Sequence, residues 1–289
     1  MSLAMQLRKE HFDHVYNLVP DQRTAKQLLR DQLFCKIMVG AKHYHAESRA
    51  IDAGHALEIF PFYVEQEWLR LLRIVQPHPD IDELSGFRLS IPEYEYKNAQ
   101  SLLSDLGVAA TQTLIGFGPG SMMPAKEWPE DRFRNVGAAL LAQYKNIVLV
   151  TVGGAEERAL CERLCAAWGP RSRNLAGHLS VYGSAAVLSR CAVYVGNDAG
   201  PMHLGAMVGT RCVAIFSARD VPGRWEPFGG GHIVLRENTE CAGCMLEVCE
   251  HEEKKCLTRI PVDSVLTAVV QCIRSHGDET EISARDGSG

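Results

Sequence analysis

Val195-Gly196-Asn197-Asp198-Ala199-Gly200-Pro201-Met202-His203-Leu204 is the stretch whose reading sets the fold. The apolar run Cys191-Ala192-Val193-Tyr194 ahead of it reads as a short buried strand, and Pro201 to Val208 behind it as a helix. A strand that breaks at Asn-Asp-x-Gly-Pro and hands over to a helix leaves backbone N–H groups at a sheet edge. Together with the positive end of the helix dipole, they make an anion site. Asp198 and His203 stand beside it in an otherwise apolar neighbourhood, so a ligand is expected here.

The pattern repeats outward from that point. Strand-like Thr113 to Phe117 leads into a Gly-Pro-Gly-Ser loop, and a helix is expected from Pro129 to Tyr144, with Glu130 and Asp131 favoured by its dipole. Ile147 to Val152 reads as a strand ending at Gly153-Gly154, followed by a helix from Ala155 to Trp168. A helix from Ser180 to Ser189 precedes the opening motif, and strand Cys212 to Phe216 follows it. Short continuous apolar strands alternating with helices predict an α/β fold, a parallel sheet with helices on both faces.

The flanks are less regular. Residues 1–107 read as a separate mixed region, with strands at Phe12 to Leu18 and Lys36 to Gly40. Its helices are placed at Arg23 to Phe34, Phe62 to Val75 and Tyr94 to Leu106, the last stopped by Gly107. Residues 108–275 would form the second lobe. Within it, Glu237 to Lys255 is irregular and cysteine-rich, a helix runs from Pro261 to Arg274, and residues 276–289 are expected to be a disordered tail.

Composition narrows the function classes. The 289 residues are 46% hydrophobic and 22% charged, as in an ordinary globular protein. The net charge of -5 lacks the basic stripe that nucleic acid would want. No apolar run approaches the ~20 residues of a membrane span, and Met1 to Glu10 lacks signal-peptide form. Ten cysteines without an export signal read as cytosolic thiols, so a cytoplasmic protein is expected.

In a doubly wound sheet, ligands sit at the carboxyl ends of the strands. Three loops meet there. In Gly118-Pro119-Gly120-Ser121 to Pro129, glycines permit close backbone approach, Ser121 offers a hydroxyl and Lys126 a point charge for phosphate. The second loop, Gly153-Gly154-Ala155-Glu156-Glu157, places acids at a helix start, where they can accept from a ribose or simply complement the dipole. The opening motif is the third.

Pro119-Gly120-Ser121, Lys126-x-Trp128-Pro129, Gly153-Gly154-x-Glu156, Asn174-Leu175-Ala176-Gly177 and Asn197-Asp198-x-Gly200-Pro201-Met202-His203 occur in this order. In order and spacing they resemble the ADP-heptose:lipopolysaccharide heptosyltransferase family, glycosyltransferase family 9. The stretch from Phe216 to Pro227 and the cysteine cluster before the last helix resemble it too. The resemblance implies a two-lobed GT-B-like architecture: a complete C-terminal Rossmann-like lobe for the donor, and here a partial N-terminal α/β lobe on the acceptor side. It further implies an inverting transfer of heptose or a related sugar from ADP-heptose to a lipopolysaccharide-core or other glycan acceptor. Such an acceptor would bring the protein to the inner membrane peripherally.

By matching motif, Gly120, Ser121 and Lys126 would meet the diphosphate, and Glu156 the nucleoside, with Glu157 competing for that role. Asp198 would bind sugar hydroxyls. The amides of Ala199 and Gly200, ahead of Pro201, would meet phosphate, and His203 would support the site. Lys126 and Asp198 carry the catalytic expectation, and no metal is obligatory. Lys126→Ala is accordingly expected to weaken donor binding far more than it lowers the melting temperature.

Two departures stand out. Ala199 replaces the family's usual Ser or Thr, removing one hydroxyl contact worth about 1 kcal/mol. Leu7 to Leu18 also resembles the middle of the family's N-terminal lobe, so by the resemblance the family's first strand and its Gly-Asp loop, with the expected base, would be missing from this sequence. Asp13, His14, Asp21, His43 and His45 remain in that region, and no motif makes any of them the base. A truncated, catalytically inactive sugar-nucleotide binder is therefore the alternative reading. A dinucleotide-dependent enzyme is disfavoured because no Gly-x-Gly-x-x-Gly follows a first strand.

Cys241, Cys244, Cys249 and Cys256 fit a four-thiolate structural zinc site by residue type, although free thiols in a loop against the donor lobe fit the compact spacing better. Cysteines 35, 161, 165, 191, 212 and 272 are expected to pack as small hydrophobes.

Overall fold

The computed structural model describes residues 3–18, 25–46, 66–76, 78–80, 84, 86–250 and 253–286. The chain divides into two compact units, Met1–Asp82 and Glu83–Gly289.

The first unit holds helix α1 (Leu3–Arg8), strand β1 (His14–Tyr16), helix α2 (Ala25–Leu33), strand β2 (His43–His45) and helix α3 (Glu67–Val75). Strands β1 and β2 pair in parallel, with His14 opposite His43 and Tyr16 opposite His45. The strand expected at Lys36 to Gly40 is not one. Helix α2 instead runs on into a π-helical turn, Phe34–Val39, and the strand lies further on, at β2. Nothing between Leu33 and Lys36 breaks a helix already nucleated, and a short apolar run suits either period. The turn ends where Gly40 takes φ +83°, a left-handed conformation that glycine adopts at little steric cost. The part of the predicted Phe62 helix at 62–65 lies outside the described residues.

The second unit opens with helix α4 (Glu93–Asp105) and continues with β3 (Thr113–Gly118), α5 (Glu130–Gln143), β4 (Ile147–Thr151), α6 (Arg158–Trp168) and β5 (Ser172–Asn174). Then come α7 (Val181–Leu188), β6 (Cys191–Asn197), α8 (Gly200–Met207), β7 (Cys212–Phe216), β8 (Ile233–Arg236), α9 (Lys255–Thr258) and α10 (Val262–Asp286). The division thus falls ahead of α4 rather than at residue 107. Ala99 and Leu103 of α4 bury against Leu188 of α7 in the core, which binds that helix to the second unit.

Six parallel strands form one sheet in the order β5-β4-β3-β6-β7-β8. Side chains alternate along each strand, and both sets are buried. Ile115, Phe117, Val193, Val195, Val213 and Ile215 face α5, α6 and α10, through Phe133, Leu140, Leu164, Val265 and Val269. Leu114, Cys191, Tyr194, Cys212 and Ala214 face the other way, toward Leu103, Leu188, Met202 and Ala206. Burying each large apolar side chain contributes about 1.5–3 kcal/mol. Strands β5 and β8 escaped the sequence reading because they are short edges, three and four residues long and only partly buried.

Local signals placed the helices well. Pro129 sits at the N-cap of α5 with Glu130 and Asp131 in its first turn. The Ser180 hydroxyl caps α7 by accepting the Gly183 N–H at 2.9 Å. Helix α10 overruns its predicted end, Arg274, and continues to Asp286 through most of the expected disordered tail of residues 276–289. Each added residue of a helix already packed at its base gains a backbone hydrogen bond at no new nucleation cost.

Candidate functional site

The chain builds outward from β3 through β4 to β5 and then crosses back to lay β6 on the other side of β3, so the strand order reverses between β3 and β6. Their carboxyl ends splay the two following loops apart, and such a crevice is where open α/β sheets bind ligands. The loop after β3 carries Gly120, Ser121 and Lys126, and the loop after β6 carries Asp198 to His203.

Asn197, wholly buried at the end of β6, ties these loops together. Its Oδ1 accepts the Trp128 backbone N–H at 3.0 Å, while its Nδ2 donates to the Pro119 carbonyl at 2.7 Å and the Gly120 carbonyl at 3.4 Å. That clamp places Lys126 against Asp198, with Nζ 2.6 Å from Oδ2, at 13% and 6% side-chain exposure. An ammonium and a carboxylate held together at the mouth of the crevice are poised to exchange each other for a ligand's anion and hydroxyls.

Two other carboxylates stand in the same loop cluster, and the sequence reading gave neither a firm role. Glu127 accepts the Ser121 N–H at 3.3 Å, so one amide of the loop already holds an anion. Burial raises the Glu127 pKa; the Ser121 amide and Lys254 partly offset this, while nearby Glu157 adds to it. Glu157 accepts the Gly154 N–H and turns toward the β3 loop. A Cβ on Gly120 would lie 2.4 Å from the Glu157 side chain, so only glycine lets the two approach this closely. Glu156 is exposed, its carboxylate turned back over Gly154. The Ser121 hydroxyl accepts the Met123 N–H at 3.2 Å.

Helix α8 starts at Gly200 with Pro201 in its first turn, and the amides of Ala199 and Gly200 have no partner among the described residues. His203 Nε2 lies 4.0 Å from Asp198 Oδ1. Burial lowers the His203 pKa and outweighs the opposing pull of Asp198, so the ring is neutral near pH 7. The loop after β7 is fixed beside these groups: Asp220 accepts the Trp225 indole N–H at 2.8 Å, and Arg236 donates to the Asp220 carbonyl at 3.0 Å.

The cysteine-rich segment buttresses Lys126 from both sides. Ala125 N–H donates to the Glu247 carbonyl at 2.9 Å, and Lys254 Nζ donates to the Glu127 carbonyl at 3.2 Å. Arg219 holds the same segment through the carbonyls of Met245 and Leu246. Cys241, Cys244, Cys249 and Cys256 are free thiols, and among the described residues no group of three or more His, Cys, Asp or Glu is arranged to hold a metal. Cys161 and Cys191 are buried in the core, and burial pushes both thiols up to about 12.

In the first unit, Lys42 ion-pairs Asp13 at 2.6 Å and holds its pKa below the usual carboxylate range. His14 stacks on His43 and His45, with His14 Nδ1 2.9 Å from His45 Nε2. Asp21 lies outside the described residues. Among the described residues, no helix is long and apolar enough to cross a membrane.

The family model "Glycosyltransferase family 9 (heptosyltransferase)" matches residues 1–255. Lipooligosaccharide heptosyltransferase 2 of Campylobacter jejuni is 25% identical over 159 residues, 53% of this chain and 49% of that protein, so the chain spans about half of its length. Lipopolysaccharide heptosyltransferase 3 of Escherichia coli K12 is 23% identical over 99% of this chain and 81% of its own length. The solved structure of E. coli ADP-heptose lps heptosyltransferase II aligns over 95% of this chain and 80% of that one, with TM-score 0.68 and 20% identity. A likeness at that identity shows a shared fold, the GT-B-like class expected from the sequence.

Proposed function

The chain belongs to glycosyltransferase family 9, the heptosyltransferases, and from that membership we propose that it transfers heptose or a related sugar from a nucleotide-diphospho-sugar to a glycan acceptor. ADP-heptose is the proposed donor and a lipopolysaccharide core the proposed acceptor, the reaction inverting the anomeric centre. The observation that carries this reading is the Lys126–Asp198 pair, 2.6 Å apart beside the open amides of Ala199 and Gly200. Cation, amides and helix dipole meet where a diphosphate would sit, and the carboxylate lies within reach of sugar hydroxyls.

In the reaction, an acceptor hydroxyl oxygen bonds to the anomeric carbon as the bond from that carbon to the phosphate oxygen breaks. The hydroxyl proton passes to a base, and the nucleoside diphosphate leaves with the bonding pair. Charge grows on the leaving phosphate, so stabilisation there lowers the barrier. Lys126, Ser121 and the amides of Ala199 and Gly200 would supply it, with Gly120 and Pro201 shaping the backbone and neutral His203 supporting Asp198. Glu157, turned toward the loop, is better placed than exposed Glu156 to meet the nucleoside. With Lys126 and a helix start to neutralise the diphosphate, the proposed transfer needs no metal. The proposed setting is the cytoplasmic face of the inner membrane, where a glycolipid acceptor would be met.

The test supplies ADP-heptose and a heptose-free lipopolysaccharide core and follows ADP release. Turnover supports transfer. Tight ADP-heptose binding without turnover across varied acceptors would favour a binding protein instead, and no binding would refute the donor site.

A further inference from the structure

Near the carboxyl ends of the two switch-point strands the register pairs Gly118 of β3 with Gly196 of β6, and neither has a side chain to offer the crevice. Tyr194, two residues back on β6 and opposite Gly116, takes the space. A Cβ built on Gly118 would fall 1.9 Å from the Tyr194 hydroxyl oxygen, and one built on Gly196 would fall 2.3 Å from it. The ring therefore lies flat across the glycines, with its hydroxyl where the side chains of residues 118 and 196 would begin.

That hydroxyl has no hydrogen-bond partner among the described residues, although Tyr194 is wholly buried, at 0% exposure. Leaving a buried hydroxyl unpaired costs about 1–3 kcal/mol, and a phenylalanine would fill the same space without that cost. Burial above all, with smaller contributions from nearby groups that include the Glu157 and Asp198 carboxylates, disfavours ionisation of the hydroxyl and keeps it a donor. The loops that leave these glycines are the two the diphosphate would bridge, Pro119-Gly120-Ser121 and Asp198-Ala199-Gly200.

We propose that the Tyr194 hydroxyl, covered by Gly118 and Gly196 in the ligand-free protein, is a donor-binding group that gives its hydrogen bond to the diphosphate of the nucleotide-sugar when donor binding shifts the glycine backbone over it. The assignment rests on the nucleotide-sugar reading of the site. In the ligand-free protein the hydroxyl is a latent donor, and donor binding supplies the acceptor it lacks.

Tyr194→Phe in the full chain separates a binding role from a structural one. Calorimetric titration with ADP and competition by adenosine would be read beside the thermal midpoint of the free protein. The variant should bind ADP about tenfold more weakly, bind adenosine as the wild type does, and melt at or above the wild-type midpoint. Unchanged ADP affinity overturns the assignment. So does a lower midpoint without ligand, which would mean the hydroxyl is satisfied inside the fold, or an equal loss for adenosine, which would remove the contact from the diphosphate. If the wild type itself binds no ADP, the donor reading falls and the Tyr194 assignment with it.

Discussion

Removing the Lys126 side chain should damage the free protein as well as its ligand affinity. The ammonium sits 2.6 Å from Asp198 Oδ2, and Asp198 is 6% exposed. Lys126→Ala therefore leaves a desolvated carboxylate without its ion pair: His203 is 4.0 Å away, and Arg236 acts on Asp198 electrostatically without a hydrogen bond to it among the described residues. Breaking a buried pair from one side costs about 3–5 kcal/mol; with the pair at a crevice mouth, about 3 kcal/mol is expected, or a fall in Tm of roughly 6–12 °C. Asp198→Asn keeps the shape and removes the charge, and should cost about 1–2 kcal/mol. The double variant strands no charge and should be more stable than Lys126→Ala alone, a coupling of about 2 kcal/mol. Urea unfolding of the four proteins by tryptophan fluorescence measures this, since Trp128, Trp168 and Trp225 all lie in the second unit and only Trp68 in the first. Additive losses, with coupling under about 0.5 kcal/mol, would show that the two groups do not meet in solution. The 2.6 Å pair adds a stability loss to the binding defect expected from the sequence. The fair baseline for ligand work is Lys126→Ala/Asp198→Asn, while Lys126→Ala alone should still bind ADP about 10- to 150-fold more weakly.

Three further outcomes are expected. Asn197→Ala leaves the Trp128 N–H and the Pro119 carbonyl unpaired in the interior, costing about 2–5 kcal/mol and releasing the β3 loop, so ADP affinity should fall with stability; unaltered affinity would show that the loop holds itself. Glu157→Ala should weaken ADP binding about 5- to 10-fold and Glu156→Ala less than twofold, whereas the reverse order in a calorimetric titration would return the nucleoside role to Glu156. The third concerns pH: burial holds the His203 pKa below its ordinary 6.5, so as pH falls the unfolded chain takes up this proton before the folded one. Stability is then indifferent to this ring above 6.5 and is lost as pH drops from 6.5 through the lowered folded value. His203→Gln should remove part of the slope in urea midpoints between about pH 8 and pH 5, the remainder including His232, whose pKa burial also lowers; an unchanged slope would contradict a half-buried, neutral His203.

What could be read in advance divides along physical lines. Strands β3, β4, β6 and β7 were legible because a strand buried on both faces must be apolar throughout, and the helices because their stripes and caps are local. Edge strand β5, Ser172-Arg173-Asn174, carries no apolar signal, β8 offers an apolar run of only three residues, Ile233-Val234-Leu235, and the π-turn at Phe34–Val39 obeys a neighbour, α2, rather than its own composition. The loop-borne groups Gly120, Ser121, Lys126, Asp198 and His203 were found because glycines, a lysine and an Asn-Asp turn at successive strand ends are difficult to explain as packing. Asn197 sat inside that motif, but its work as a clamp depends on Pro119 and Trp128, residues distant in sequence.

The sequence by itself determined a parallel α/β sheet and the loops that meet at its carboxyl edge, because hydrophobic period and turn chemistry are local properties of the chain. Only the tertiary structure decided which charges neutralise each other. It paired Lys126 with Asp198, turned Glu157 rather than Glu156 toward the loop, and laid Tyr194 across Gly118 and Gly196 with its hydroxyl unpartnered. Those outcomes rest on distances of a few ångströms between residues far apart in the chain, set by strand register and order, which no local pattern encodes.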